Sequence, residues 1–394
     1  MKNQDILIIG GGIAGLTVAW WLKKYGFNPI IIEIAHELRE GGYMMDFWGV
    51  GYDVAEKMGI LEDLEKKHYD IKQLKFVNKK GKQVSGLEID KLRAQLDYRH
   101  FNFLRGDLAQ ILNKHLHGDI EIRYGITAEN IIESEGNIEV TFSNGNTQSF
   151  DIVIGADGVH SQTRQRIFGG KSPNEKFLGY YTASYKIENY LGEKRLFASH
   201  TIPDKQVAIY SISPEELATF FVWKSEKIGD SEIDSKFKQE QMLKTIYSGI
   251  QWEIPLLLDK IPTARDFFFD SVDQVILDKW YKDRVVLLGD ACQCVSLMAG
   301  EGAGLAMAAG YTLAGELSAS EGDYSIAFKK YQEIMQPEVM RKQKLARDFS
   351  SSFVPSSKVS IYIRNIAMWF VKVPFIAKWF VNKYLSDDLV LKDY

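Results

Sequence analysis

The chain is 394 residues long, enough for two domains or for one domain with a large insertion. Its 48 Lys and Arg against 52 Asp and Glu leave a net charge of −4, which gives no electrostatic footprint for nucleic acid, and 45% hydrophobic residues suit a soluble globular protein. The two cysteines, Cys292 and Cys294, have one residue between them, so neither a disulfide framework nor a metal site is expected.

Met1 to Asp5 lead into the first strand with no apolar secretory segment, so the expected compartment is the cytoplasm. Asp5 to Ile9 is a short apolar run, Gly10-Gly11-Gly12-Ile13-Ala14-Gly15 a tight turn, and Leu16 to Tyr25 a helix. In such a unit Gly10 makes the turn, Gly12 clears space for a pyrophosphate, and Gly15 lets helix and strand approach; the phosphates sit on free helix N–H groups. A second apolar run, Pro29 to Ile32, ends in Glu33, placed to take the hydroxyls of an adenosine ribose. Glu33 would repel a 2′-phosphate, so this cradle is expected to hold FAD or NAD and not NADP.

Arg39, in the charged turn before Gly41-Gly42, either reaches back to a phosphate or is a solvated surface arginine. Val54 to Leu64 reads as a helix, and Gln73 to Val77 with Gln83 to Leu87 as a hairpin leaving the nucleotide-binding region. Arg105 opens a helix running to about His115, against the helix dipole. A bound phosphate would offset that cost; pairing with Asp107 or Asp97 is the alternative. Short strands follow at Glu121 to Tyr124, Ile131 to Glu133, Ile138 to Phe142 and Thr147 to Phe150, before a buried strand ending in Gly155-Ala156-Asp157-Gly158.

From Phe177 to Trp223 the βα alternation gives way to aromatic-rich strands, read as a mostly antiparallel sheet whose single aromatics serve either the core or a flat apolar pocket. Another buried strand, Val285 to Leu288, ends in Gly289-Asp290. The turn Gly300-Glu301-Gly302-Ala303-Gly304 then opens a small-residue helix, whose N-terminus suits either a negative charge near N1 of a reduced flavin or close helix packing. Tyr324 to Phe349 reads as an amphipathic helix kinked at Pro337. Arg364, Lys372, Pro374 and Lys378 break up the apolar segment Ile361 to Val381, so a helix packed on the body is expected there in preference to membrane contact.

The glycine fingerprint, Asp157-Gly158 and Gly289-Asp290, in that order, resemble the class A flavoprotein monooxygenases of the p-hydroxybenzoate hydroxylase fold. Gly41-Gly42-Tyr43-Met44-Met45-Asp46 and Leu104 to Leu108 look most like the branch of tetracycline-inactivating and antibiotic-tailoring enzymes. The resemblance implies an α/β chain. A Rossmann-like FAD-binding domain would span 1–72, 99–174 and 275–318, with an inserted, mostly antiparallel substrate domain at 73–98 and 175–274 and C-terminal helices over 319–394.

It implies FAD contacts at Gly10, Gly12, Ala14, Gly15, Glu33, Arg39, Arg105, Asp157, Asp290, Gly300, Gly302 and Ala303, and a substrate-site role for Asp46. NAD(P)H would be a transient donor, dioxygen would form a flavin C4a-hydroperoxide, and an aromatic or polyketide-like molecule would be hydroxylated. A reductase or dehydrogenase without oxygen insertion, and a non-catalytic flavoprotein, are the alternatives.

The sequence also departs from the family pattern. Prolines usual after Gly-Asp-Ala are replaced by Cys292-Gln293-Cys294-Val295-Ser296-Leu297, and Gly304 stands for a common asparagine. Glu301 stands for a glutamine, either near the ring edge or facing solvent at a helix N-terminus.

Overall fold

In a computed structural model, the structure describes residues 2–38, 41–116, 118–134, 136–169, 174–193, 195–370, 374–384 and 386–394. Asp5–Ile9 and Ile152–Gly155 are apolar almost throughout because they lie in the middle of a six-stranded sheet buried on both faces. The sheet runs Tyr281–Lys282, Val285–Leu287, Ile152–Gly155, Asp5–Ile9, Asn28–Glu33, Glu121–Tyr124, and only its Tyr281–Lys282 edge is antiparallel.

Chain order reverses across Asp5–Ile9, since its neighbours are the later Ile152–Gly155 on one side and Asn28–Glu33 on the other. A crevice therefore opens at the carboxyl end of that strand, where the glycine turn sits. The Ile13–Lys24 helix covers one sheet face and is itself covered by Gly302–Ala319. Contact is close because a Cβ on Gly310 would lie 3.0 Å from the Val18 nitrogen. The meander Ala128–Ser134, Asn137–Phe142 and Thr147–Phe150 closes the opposite face over Leu7, Ile9 and Val153.

The second sheet has seven strands, in the order Arg265–Val275, Glu175–Glu188, Glu216–Lys224, Lys205–Ser211, Leu196–Ile202, Gln73–Val77, Gln83–Glu88. All its pairs are antiparallel except Leu196–Ile202 with Gln73–Val77, so the early hairpin joins the later sheet. Strand alternation divides its aromatics: Tyr181, Tyr185, Phe221 and Trp223 pack under Lys236–Tyr247 and Ile254–Asp259, while Phe197, Tyr210 and Phe220 face a cavity.

Between the sheets runs a ribbon in which Met44–Phe47 pairs with Phe101–Leu104, setting Asp46 opposite Asn102. The helix expected over Val54 to Leu64 is two helices, Gly49–Met58 and Leu61–Lys67, because Gly59 takes a left-handed φ of 73°. Tyr324–Phe353 is a single helix that contains Pro337. The apolar segment forms Lys358–Phe370 and Pro374–Tyr384, and among the described residues no helix is long and apolar enough to cross a membrane.

Candidate active site

A cavity of about 550 Å³ extends from the glycine turn to the aromatic face of the seven-stranded sheet. At its nucleotide end the fingerprint glycines do different work. A Cβ on Gly15 would stand 1.9 Å from the Gly10 carbonyl oxygen, so that glycine serves helix-on-strand contact. A Cβ on Gly12 would meet nothing within 4 Å, and Gly12, Ile13 and Ala14 line the cavity. The space at the Ile13–Lys24 helix N-terminus is thus open on the side where a pyrophosphate would meet free N–H groups.

Glu33 accepts from the Gly11 N–H at 2.8 Å and the Ala35 N–H at 2.9 Å, which fixes its carboxylate beside the same turn. Arg39 lies outside the described residues. Arg105 is the first residue of Arg105–Lys114 and lines the cavity. Asp107 is not its partner: that carboxylate accepts from the Leu104 N–H at 3.2 Å and the Tyr69 hydroxyl at 2.7 Å, and pairs with Lys67 at 3.1 Å. Arg105 acts instead on Asp290, whose carboxyl burial pushes up and the guanidinium pulls back down.

Asp157 is placed differently from the carboxylates around it. It accepts from the Thr163 N–H at 2.9 Å and the Thr163 hydroxyl at 3.0 Å, and also from the Ser161 hydroxyl, tying down the start of Gln162–Phe168. Its neighbours Ala156, Gly158 and Val159 line the cavity.

Gly300, Gly302 and Ala303 form another stretch of wall, at the N-terminus of Gly302–Ala319. Gly304 is explained by packing, since a Cβ on the facing Gly51 would come within 2.5 Å of its Cα. Of the two expectations for Glu301, the solvent-facing one does not hold. It is buried at 9% exposure and pairs with Lys342, which also meets Asp387 at 2.9 Å. Burial, relieved by Lys342 and reinforced by Asp387, raises its carboxyl to about 8.

The loop that lacks prolines is held by side-chain amides. Gln343 Nε2 donates to the Cys294 and Val275 carbonyls at 3.0 and 2.7 Å, and Gln274 Nε2 to the Val295 and Gln343 carbonyls at 3.0 and 2.9 Å. Both glutamines are buried.

On the substrate side Asp46 faces the cavity. Its Oδ1 lies 3.0 Å from His100 Nε2 and also accepts from the Asn102 amide, while Arg93 Nε donates to His100 Nδ1 at 3.3 Å. Burial would raise the Asp46 carboxyl, but His100, Asn102 and Arg93 together hold it below its usual range. His100, Asn102, Arg93, Gln274, Gln343 and Lys342 were not singled out from sequence; the alternation of the two ribbon strands is the signal that could have found Asn102.

A dinucleotide cradle opening into an apolar cavity beneath an antiparallel sheet defines a class A flavoprotein monooxygenase, and the open space at Gly12, the cation at Arg105 and the glycine wall at Gly300 suit FAD. Residues 3–325 match the FAD binding domain family, and the chain belongs to it. A flavin-dependent monooxygenase of Legionella longbeachae is 33% identical over 360 residues, covering 91% of this chain and 92% of the relative. Among solved structures, the tetracycline destructase Tet(51) superposes with a TM-score of 0.84 at 30% identity, covering both chains fully. Tet(55) gives 0.85 at 29% identity, covering 100% of this chain and 99% of its own. The protein is an FAD-dependent monooxygenase.

Proposed function

We propose that this monooxygenase consumes NAD(P)H and hydroxylates an aromatic or polyketide-like small molecule, tetracycline-like ring systems among the candidates. The observation that carries this reading is the continuity of one apolar cavity from Gly12 and Gly300 to Phe197, Tyr210 and Phe220. A flat substrate there would lie between the flavin wall and the aromatic sheet.

FAD, when bound, supplies the oxygen-activating chemistry. The chain's own groups bind and orient. Glu33 is placed for the adenosine ribose, Gly10, Gly12, Ala14 and Gly15 for the pyrophosphate turn, Arg105 and Asp290 for the phosphate and ribityl region, and Gly300, Gly302 and Ala303 for the ring. The Asp157 carboxylate supports this from behind, by fixing the turn through Gly158. Residues 73–98 and 175–274 act as the substrate domain in this reading, with Asp46 at its boundary presenting a carboxylate to a substrate donor. Burial among apolar walls excludes water and strengthens each polar contact.

The test uses purified FAD-loaded protein under air, with NADH or NADPH and a panel of phenols and tetracyclines. Product mass and hydrogen peroxide are followed together. A product heavier by one oxygen with little peroxide supports the proposal; consumption that no ligand stimulates counts against it.

A further inference from the structure

Arg364 projects from Lys358–Phe370 into the wall shared by that helix and the seven-stranded sheet, and it lines the cavity. The helix is seated on the sheet by the Ser85 hydroxyl, which donates to the Asn365 carbonyl at 3.0 Å. Arg364 Nη1 donates to Gln206 Oε1 at 3.1 Å and the Phe353 carbonyl at 3.4 Å. Nη2 donates to the Thr201 hydroxyl at 3.0 Å and Asn365 Oδ1 at 3.4 Å. The guanidinium carbon lies 4.5 Å from the centre of the Phe76 ring, and Nε is buried with no acceptor among the described residues.

Every one of those acceptors is neutral. The other charged side chains on the cavity wall each feel an opposite charge: Asp46 that of Arg93, Asp270 that of His160, Asp273 that of Lys227, and Asp290 that of Arg105. For Arg364, burial alone acts, lowering the guanidinium to about 10. A half-buried cation held by neutral dipoles and an aromatic face keeps its field, and that field reaches into the cavity with no paired carboxylate to offset it. The two 3.4 Å contacts are at the limit of a hydrogen bond and are readily exchanged for a stronger, charged acceptor.

We propose that Arg364, with Gln206 and Thr201 beside it, is an anion-recognising subsite, and that the substrate presents an acidic group, carboxylate, phenolate or enolate, against it. The inference rests on the reading above that this cavity takes the substrate. It adds the charge that the substrate brings and the end of the cavity at which that charge lies.

The test compares 2-naphthoate with its neutral near-isostere 2-naphthamide, by equilibrium dialysis at neutral pH against the FAD-loaded protein. The wild type should bind the acid about tenfold more tightly than the amide, as expected for a charge-assisted contact. Arg364→Gln should erase that preference while leaving amide binding within about twofold, and Arg364→Lys should restore part of it. Equal binding of the two probes by the wild type, or no binding of the acid, overturns the proposal whatever the variants' stability. So does parallel loss of both probes in Arg364→Gln, which would make the residue a helix tether. Dialysis needs no turnover: selective binding of the acid with no ligand-stimulated NAD(P)H consumption would sink the proposed reaction and leave the subsite standing.

Discussion

His100 Nε2 lies 3.0 Å from Asp46 Oδ1, and His100 Nδ1 accepts from Arg93 Nε at 3.3 Å, so the imidazole bridges a buried arginine to a cavity carboxylate. The arginine contact fixes the proton on Nε2 and aims it at Asp46. Oδ1 is thereby occupied and the carboxylate kept ionised, with the rest of its acceptor capacity turned to the cavity. Asp46→Asn should retain FAD but lower kcat/KM about ten- to a hundredfold, the range for losing a hydrogen bond to a charged group. His100→Phe should keep ring volume against Trp48 yet move the acid limb of the kcat/KM profile to higher pH, since the proton that depresses Asp46 is gone. Steady-state kinetics across pH check both, and an unshifted acid limb would detach Asp46 from the reaction.

Two fingerprint glycines should separate folding from cofactor binding. Gly12 has an ordinary φ of −78° and free space around it, so Gly12→Val should fold normally. Its side chain would occupy the pyrophosphate position, and FAD affinity should fall at least roughly a hundredfold. Gly15→Val would drive a Cβ against the Gly10 carbonyl, destabilising the fold by about 3 kcal/mol or more. Circular dichroism, thermal melts and flavin titration on both variants distinguish these outcomes. A Gly12→Val protein that stays yellow would contradict the placement of the cradle.

What the sequence revealed in advance follows from how local each signal is. The strand, glycine turn, helix and Glu33 lie within one βαβ unit, so their spacing carried both the fold and the nucleotide end of the site. The change from βα alternation to aromatic strands announced the second sheet for the same reason. Asp46 could be picked out by resemblance, but its contact with Asn102 spans 56 positions and depends on strand register, which neither segment shows alone. For Glu301 the sequence offered the ring edge or an exposed helix start, and its burial was hidden because Lys342 and Asp387 reach it only through tertiary packing. Gly59 stands inside the apolar pattern that reads as one helix from Val54 to Leu64, and its left-handed backbone ends the first helix there.

Where the family's prolines are missing, near Val295 to Leu297, the amides of Gln274 and Gln343 hold the chain. Gln343→Leu keeps the side chain's bulk and leaves the Cys294 and Val275 carbonyls without that donor. The Cys294 carbonyl still accepts the Val275 N–H at 3.1 Å, so the fold should lose about 0.5–1.5 kcal/mol for each bond removed. Because Cys294 to Ala299 also line the cavity, a looser loop should admit water beside the flavin and raise the share of NAD(P)H that ends as hydrogen peroxide. Melting curves and peroxide-to-product ratios measure the two effects, and an unchanged ratio would separate loop rigidity from coupling.

Glu301 should make stability depend on pH in an unusual direction. Burial raises its carboxyl from the ordinary 4.5 to about 8, against the opposing pull of Lys342 and with the support of Asp387. Between those values the folded chain keeps a proton that the unfolded chain has released, so this residue's contribution to stability falls as pH rises through the window and levels off above about 8. Glu338 at 3.8 Å from Lys342 Nζ, and Arg341 paired with Glu338 and Asp388, complete the charges around it. Glu301→Gln removes the titration while Lys342 keeps Asp387 and the Ser386 carbonyl as partners. Relative to the wild type, the variant should gain stability, on the order of several kcal/mol for a shift of that size, between about pH 5 and pH 9, read as a Tm difference that grows through the window. A Tm difference that stays constant across that range would show that Glu301 remains ionised against Lys342 throughout, and that the pair, not the proton, holds this acid in the interior.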